Sequence, residues 1–471
     1  MLSMPKNLPE HKMSVFTLVM ITSALFLTLR NMPMMAETGL KMIAFNAITV
    51  FAFLIPIALV SAELSTGWPH NGVYHWVREA FGIKVGWLAV WLQWIQSIFG
   101  ISSIMAYAAA TFFFIFNPKL ASDGRYIALV ILLIYWGATF ANLHGTKLSG
   151  IISSVCVISG VFIPTIVLII LSVIYLAGGN KIYLDTALTS QNLLPSIHHL
   201  GDLTLFLSFI FGFVGIEVSA SHAREVENPH KSYPIAIFTA AIIGFVLTLL
   251  GGMAVAFVLP KGSINLVSGA VQAFAALFKL YGVDWLIPVA GLLIAFGAAG
   301  QVSTWIVGPI KGIHAAGRAG NLPPVLQEVN NSGVPRNLLM LQAGMMSVIA
   351  IILFFVSNVN TAFLILTTIA VFLYALMYII MFIAGIRLRY THPDTERPYK
   401  VPGGNLGMWI IGGIGLVTSA CCLLIGLIPA GGKMLSASRY EIMLFACSGT
   451  LIALPFIIYR LRKPGWSNHS V

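Results

Sequence analysis

Charge is what this sequence has least of. Asp, Glu, Lys and Arg make up 9% of its 471 residues, against about 25% in soluble domains. That excludes an ordinary water-soluble fold. Cysteine is nearly as scarce. Cys156, Cys421, Cys422 and Cys447 all fall in apolar runs, and none has CxxC or His-paired spacing. They read as small core or lipid-facing residues, not as a metal site. No HExxH or GxSxG stretch is present, so neither an enzyme nor a cofactor is implied. Ten-residue alternation is absent too, which excludes a transmembrane β-barrel. The first apolar run, from about Met13, is too long for a signal-peptide core and lacks a small-residue cleavage site.

What is there is apolar. Hydrophobic residues make up 58% of the chain, and mean hydropathy is +0.92. Runs of about 20 apolar residues recur, long enough to cross a bilayer as helices. Twelve spans are expected: 13–36, 41–63, 84–116, 125–143, 149–177, 202–221, 234–259, 284–312, 337–357, 361–386, 407–430 and 440–461. The fold class is therefore an all-α polytopic membrane protein. Seventeen Lys and Arg residues lie on the side holding both termini and eight on the other. The positive-inside rule puts the richer side, and both termini, in the cytoplasm. The net charge of +11 is explained by this topology, so nucleic acid is not a partner.

Two ionisable residues fall inside spans. Arg30 lies in span 1 and Glu217 in span 6, on opposite sides of the midplane if both helices are regular. Such residues usually face the bundle interior and mark a pathway. Two readings stand for each. Arg30 either faces a cavity or snorkels to the outer headgroups. Glu217 is either functional or a protonated carboxyl bonded to a neighbouring helix. Gly212 and Gly215 bracket Phe213 and Val214 in span 6, a pattern that loosens a helix. The matching stretch of span 1 is Ile21-Thr22-Ser23-Ala24, where Thr22 and Ser23 can support an opened turn. Interrupted helices at equivalent places in two halves point to a midplane transport site. GxxG also serves close helix packing, which is the alternative.

Three stretches then carry a resemblance. They are FGFVGIEVSASHAREVENPHKSYPIAI after Ile210, STWIVGPIKGIHAAGRAGNLPP at 303–324, and AELSTGWPHNGVYHWVREAFG at 62–82. The chain resembles the amino acid–polyamine–organocation transporters, and within them the bacterial glutamate/γ-aminobutyrate antiporters. The resemblance implies a leucine-transporter-type fold. Helices 1–5 (13–177) and 6–10 (202–386) would be inverted repeats, with helices 1 and 6 broken and helices 11–12 at 407–461. It implies free N–H groups near Ala24, and freed carbonyls near Thr22 and Phe209–Phe211, that read the constant part of an amino acid. Phe211 and Trp305 match aromatics that cover substrate. Tyr374 and Tyr378 match a tyrosine pair lining the site, and Glu217 matches the helix 6 glutamate. With Gly212 and Phe213 at the break, these complete the expected site.

The departures bear on substrate. Arg30 stands where these antiporters carry a tyrosine, and Gln301 where they carry a glutamate. Both changes favour an anionic substrate if the side chains face the cavity. Helix 5 has no ionisable residue near Ser154, where the superfamily often has a lysine. Only about ten residues follow span 12, so a long C-terminal plug is not expected. His70, His75, His222, His230 and His314 fall on the cytoplasmic side and read as ordinary loop histidines or pH sensors. Glu225, Glu227, Arg224, Lys231 and Arg318 could pair across loops there. The expectation is an inner-membrane exchanger of glutamate or a related acidic amino acid. A neutral amino acid permease is the rival. Its partners are amino acid substrates and the lipid bilayer, and nothing in the sequence separates a monomer from a homodimer.

Overall fold

The structure, a computed structural model, describes residues 13–69, 72–144, 155–195, 200–219, 227–356, 358–428 and 437–467. Among them the regular elements are helical, and strand-like pairing is confined to isolated bridges such as Ala319 with Ser467. Eleven helices among the described residues are long and apolar enough to cross a membrane, and they coincide with spans 2 to 12. The chain is a multi-pass membrane protein. Span 1 stands apart because it is two helices, Val15–Phe26 and Met32–Glu37, joined through a 3₁₀ turn at Leu29–Asn31. Neither piece is long enough to cross alone.

Span 8 runs Leu286–Arg318 and span 10 runs Val359–Thr391, both past their apolar stretches. Each stops beside a breaker, Gly320 at φ +90° or Pro393. Four further helices among the described residues lie outside the twelve expected spans: Val73–Phe81, between Gly72 and Gly82, Gly269–Leu280, between spans 7 and 8, and the single turns Ser190–Leu193 and Pro324–Gln327. Spans 2 and 5 carry π-helical turns, Val50–Leu54 and Ile158–Phe162, just ahead of Pro56 and Pro164. A proline lacks an N–H and crowds the preceding turn, and a wider turn relieves both.

Spans 3, 6 and 10 are the most buried, and spans 11 and 12 the most peripheral. Span 3 packs along spans 8 and 10. Span 5 crosses span 8 at Gly160 and Gly297, where a Cβ on Gly160 would sit 2.1 Å from the Leu293 carbonyl oxygen. Backbones touch at that crossing. After span 12 the chain returns to the end of span 8: Gln327 Nε2 donates to the Trp466 carbonyl at 2.8 Å, and Ser467 pairs with Ala319.

Candidate functional site

The break in span 1 lies later than the sequence suggests. Ser14 caps the helix through the Thr17 N–H, and the helix then runs unbroken through Thr22, Ser23 and Ala24 to Phe26. Leu27 and Thr28 are extended, and the Thr28 hydroxyl accepts the Arg30 N–H at 3.2 Å to start the next turn. The physical reason is tertiary. Trp305 Nε1 donates to the Leu25 carbonyl at 2.8 Å, and the Gln301 side-chain amide donates to the Leu27 carbonyl. Residues 301 and 305 are one turn apart on span 8, so one helix face holds both carbonyls of the opened turn. The Thr22 and Ser23 hydroxyls support no opening; they are buried in regular helix without a hydrogen-bond partner among the described residues. Gln301 is thereby engaged with backbone as a donor.

The break in span 6 lies where the glycines put it. The helix Leu200–Phe211 ends in tight bonds, Gly212 N–H to the Ser208 and Phe209 carbonyls and Phe213 N–H to the Ile210 carbonyl. These bonds take up the Phe209 carbonyl, which was expected to be free. Gly215 then turns at φ +98°, a backbone conformation suited to glycine. A Cβ there would lie 2.6 Å from the Trp305 ring, and one on Gly212 would lie 2.7 Å from Asn31 Nδ2. A 3₁₀ stretch, 216–219, follows and carries Glu217. The Phe213 ring packs toward Phe26 at 6.0 Å, and Phe209 packs against Phe45 at 5.4 Å.

Glu217 and Arg30 hold separate clusters. Glu217 Oε1 accepts from Tyr374 at 2.5 Å and from Gln93 Nε2 at 3.0 Å, and Oε2 accepts from Tyr378 at 2.6 Å. The Tyr378 hydroxyl also accepts the Gly215 N–H at 3.0 Å. Trp305 stands edge-on to Tyr374, with ring centres 6.5 Å apart. Arg30 is 2% exposed, so it does not snorkel. Its Nη1 donates to Ser103 Oγ at 2.9 Å, and its guanidinium lies 4.3 Å from the Phe211 ring centre. Ser103 Oγ in turn lies 3.2 Å from Thr367 Oγ1. Thr367 is seven residues from Tyr374 along span 10, and Ser103 is ten from Gln93 along span 3. At the α-helical rise those offsets are ~10 and ~15 Å, so the two charged residues lie on different levels of the bundle.

Gln93, Ser103 and Thr367 were not among the expected site residues. Span 3 did carry a signal. Gln93, Gln96, Gly100, Ser103, Tyr107 and Thr111 follow one another at steps of three or four, which aligns them on one helix face. Gly100 leaves room for Phe211, whose ring a Cβ would meet at 3.1 Å. A cavity of about 440 Å³ opens at the Arg318 end of span 8. Gln93, Glu217 and Val218 line it, together with Lys311, His314 and Arg318. His70, Arg224, Glu225, His222 and Ser154 lie outside the described residues.

Comparison with known proteins completes the picture. The amino acid permease family profile matches residues 13–453. An uncharacterized transporter of Legionella pneumophila is 36% identical over 97% of this chain and 98% of its own length. A glutamate/gamma-aminobutyrate antiporter of Lactococcus lactis is 32% identical over 96% of this chain and 91% of its own. A cadaverine/lysine antiporter of Escherichia coli is 27% identical over 63% of this chain and 64% of its own.

Proposed function

The chain belongs to the amino acid permease family, and from that premise we propose that it is an amino acid antiporter of the bacterial inner membrane. It exchanges glutamate or a related acidic amino acid for a neutral or decarboxylated one, such as γ-aminobutyrate, by alternating access. Spans 1–5 and 6–10 act as inverted repeats within twelve transmembrane segments, and both termini are cytoplasmic. Backbone groups released at the two breaks read the α-ammonium and α-carboxylate. Phe211, Trp305 and Tyr374 cover the substrate. Glu217 does not bind the substrate's carboxylates, which it would repel. It is a titratable brace between the opened turn of span 6 and the cavity beyond it.

The observation that carries the acidic substrate is Arg30. It is buried against Phe211 and Ser103 with no carboxylate within ion-pair distance among the described residues. An uncompensated buried cation is strongly unfavourable, and a bound anion relieves it. The test is exchange in proteoliposomes. The wild type should exchange labelled glutamate, and Arg30→Ala should lower kcat/KM about tenfold or more, the scale of one charge-assisted contact. Glu217→Gln should flatten the pH profile of the same exchange. Exchange confined to neutral or cationic amino acids would overturn the acidic assignment, and an unaltered pH profile would remove the brace.

A further inference from the structure

The surroundings of Arg30 contain more hydrogen-bonding capacity than the protein uses. Among the described residues the Arg30 Nε is buried without a hydrogen-bond partner, and the Tyr107 hydroxyl and Thr111 Oγ1 have at most one another. Tyr107 is 1% exposed and close enough to Arg30 for the two to interact electrostatically. Ser103, Tyr107 and Thr111 recur every four residues, so span 3 presents three hydroxyls on one face. Buried polar groups are nearly always satisfied, and a buried donor left without an acceptor is unfavourable. An unpaired Nε–H on a buried guanidinium, with an under-used tyrosine hydroxyl one turn from the serine that holds Nη1, marks a place where a ligand supplies the missing acceptor.

We propose that Arg30 and Tyr107 form the subsite for the side-chain carboxylate of the transported amino acid, with Ser103 and Thr367 as positioning residues. This rests on the acidic-substrate reading. The Arg30 Nε–H and the Tyr107 O–H donate to the two carboxylate oxygens. Thr367 and Ser103 fix Nη1 from the other side, so the guanidinium plane is set before substrate arrives. Phe211, stacked on the guanidinium, closes the subsite against water. The subsite selects by chemistry as well as by charge. A carboxylate offers only acceptors. The amide of glutamine must turn one N–H₂ group toward donors, which leaves buried donors unpaired.

The test is the ratio of inhibition constants for unlabelled glutamine and glutamate against labelled-glutamate exchange in proteoliposomes. The wild type should favour glutamate. Tyr107→Phe, which removes one oxygen, should cut that preference about tenfold, the scale of a hydrogen bond to a charged group. Ser103→Ala should also lower it, and Ser103→Thr should restore it, which a merely structural role would not do. A wild type without preference overturns the acidic reading and the subsite together. If Arg30→Ala abolishes the preference while Tyr107→Phe and Ser103→Ala keep the wild-type ratio, the acidic reading stands and the subsite falls. If Tyr107→Phe does not reconstitute, the serine pair alone decides: a Ser103→Ala ratio equal to wild type overturns the proposal.

Discussion

A buried carboxylate tells most through its donors. Glu217 has three, from spans 3 and 10, and one of them does double duty. Tyr378 gives its proton to Glu217 and takes the Gly215 N–H, so it ties the carboxylate to the opened turn of its own span. Tyr374 makes no such bridge. It shares Oε1 with Gln93, whereas Tyr378 is the only side-chain donor to Oε2 among the described residues. The two tyrosines should therefore differ on deletion of the hydroxyl. Tyr374→Phe leaves no atom without a partner. Tyr378→Phe orphans a carboxylate oxygen and a backbone N–H, each worth about 1–3 kcal/mol when buried. Thermal unfolding in detergent should show Tyr378→Phe as the less stable variant. Equal stability would mean that the Gly215 N–H finds another partner. Both tyrosines were legible in the sequence as a pair on one face, because four-residue spacing is a local property. Gln93 was not singled out. Nothing local ties a glutamine on span 3 to a glutamate on span 6, 124 positions away.

At the scale of elements, the two breaks differ in how they are caused. Span 6 opens for a reason carried in its own sequence, since Gly215 holds a φ of +98° and lies against an indole. Span 1 opens because span 8 takes two of its carbonyls from 274 and 280 positions away. That is why the first break was readable and the second was expected at Thr22–Ser23, several residues early. It also changes the meaning of Gln301. A glutamate there could not donate to the Leu27 carbonyl without a proton, so the amide serves the backbone. Trp305 belongs to both breaks, bonding Leu25 in one and packing on Gly215 in the other. Gly215→Ala should therefore disturb span 1 as well as span 6. The added methyl meets the indole at 2.6 Å in a conformation that itself costs about 1–2 kcal/mol for a non-glycine residue. The expected result is a lower unfolding temperature and a loss of exchange, with cysteine pairs across span 1 and span 8 crosslinking less well. Wild-type crosslinking in Gly215→Ala would show that the breaks are independent.

At the scale of the whole molecule, a dense polar joint lies away from the site, where span 2 meets span 10 and the connection after it. Glu63 receives Arg389 through two parallel bonds, at 2.5 and 2.6 Å, and the Val401 N–H at 2.7 Å. Arg397 approaches the same carboxylate at 3.7 Å while donating to the Leu388 and His392 carbonyls and lying over Trp68. One carboxylate thus serves two guanidiniums. Burial lowers the affinity of Arg397 for its proton, and Glu63 opposes that shift. The sequence showed these charges only as residues at span ends. Their joint depends on span 10 continuing to Thr391 and on the chain folding back through Val401, neither of which periodicity reveals. The geometry makes the joint asymmetric. Removing Arg389 leaves Glu63 with Arg397 nearby, so the remaining charges can pair. Removing Glu63 leaves two buried cations without an anion. Breaking a buried pair from one side costs about 3–5 kcal/mol, and the larger figure applies where no substitute partner exists. Glu63→Gln should therefore destabilise more than Arg389→Met, and the double variant should recover part of the Glu63→Gln loss by removing one stranded charge. Thermal unfolding of the three variants in lipid nanodiscs measures this directly. If Arg389→Met proved the more damaging, Arg397 would be held by its carbonyls and Trp68 alone, and the joint would be a simple pair.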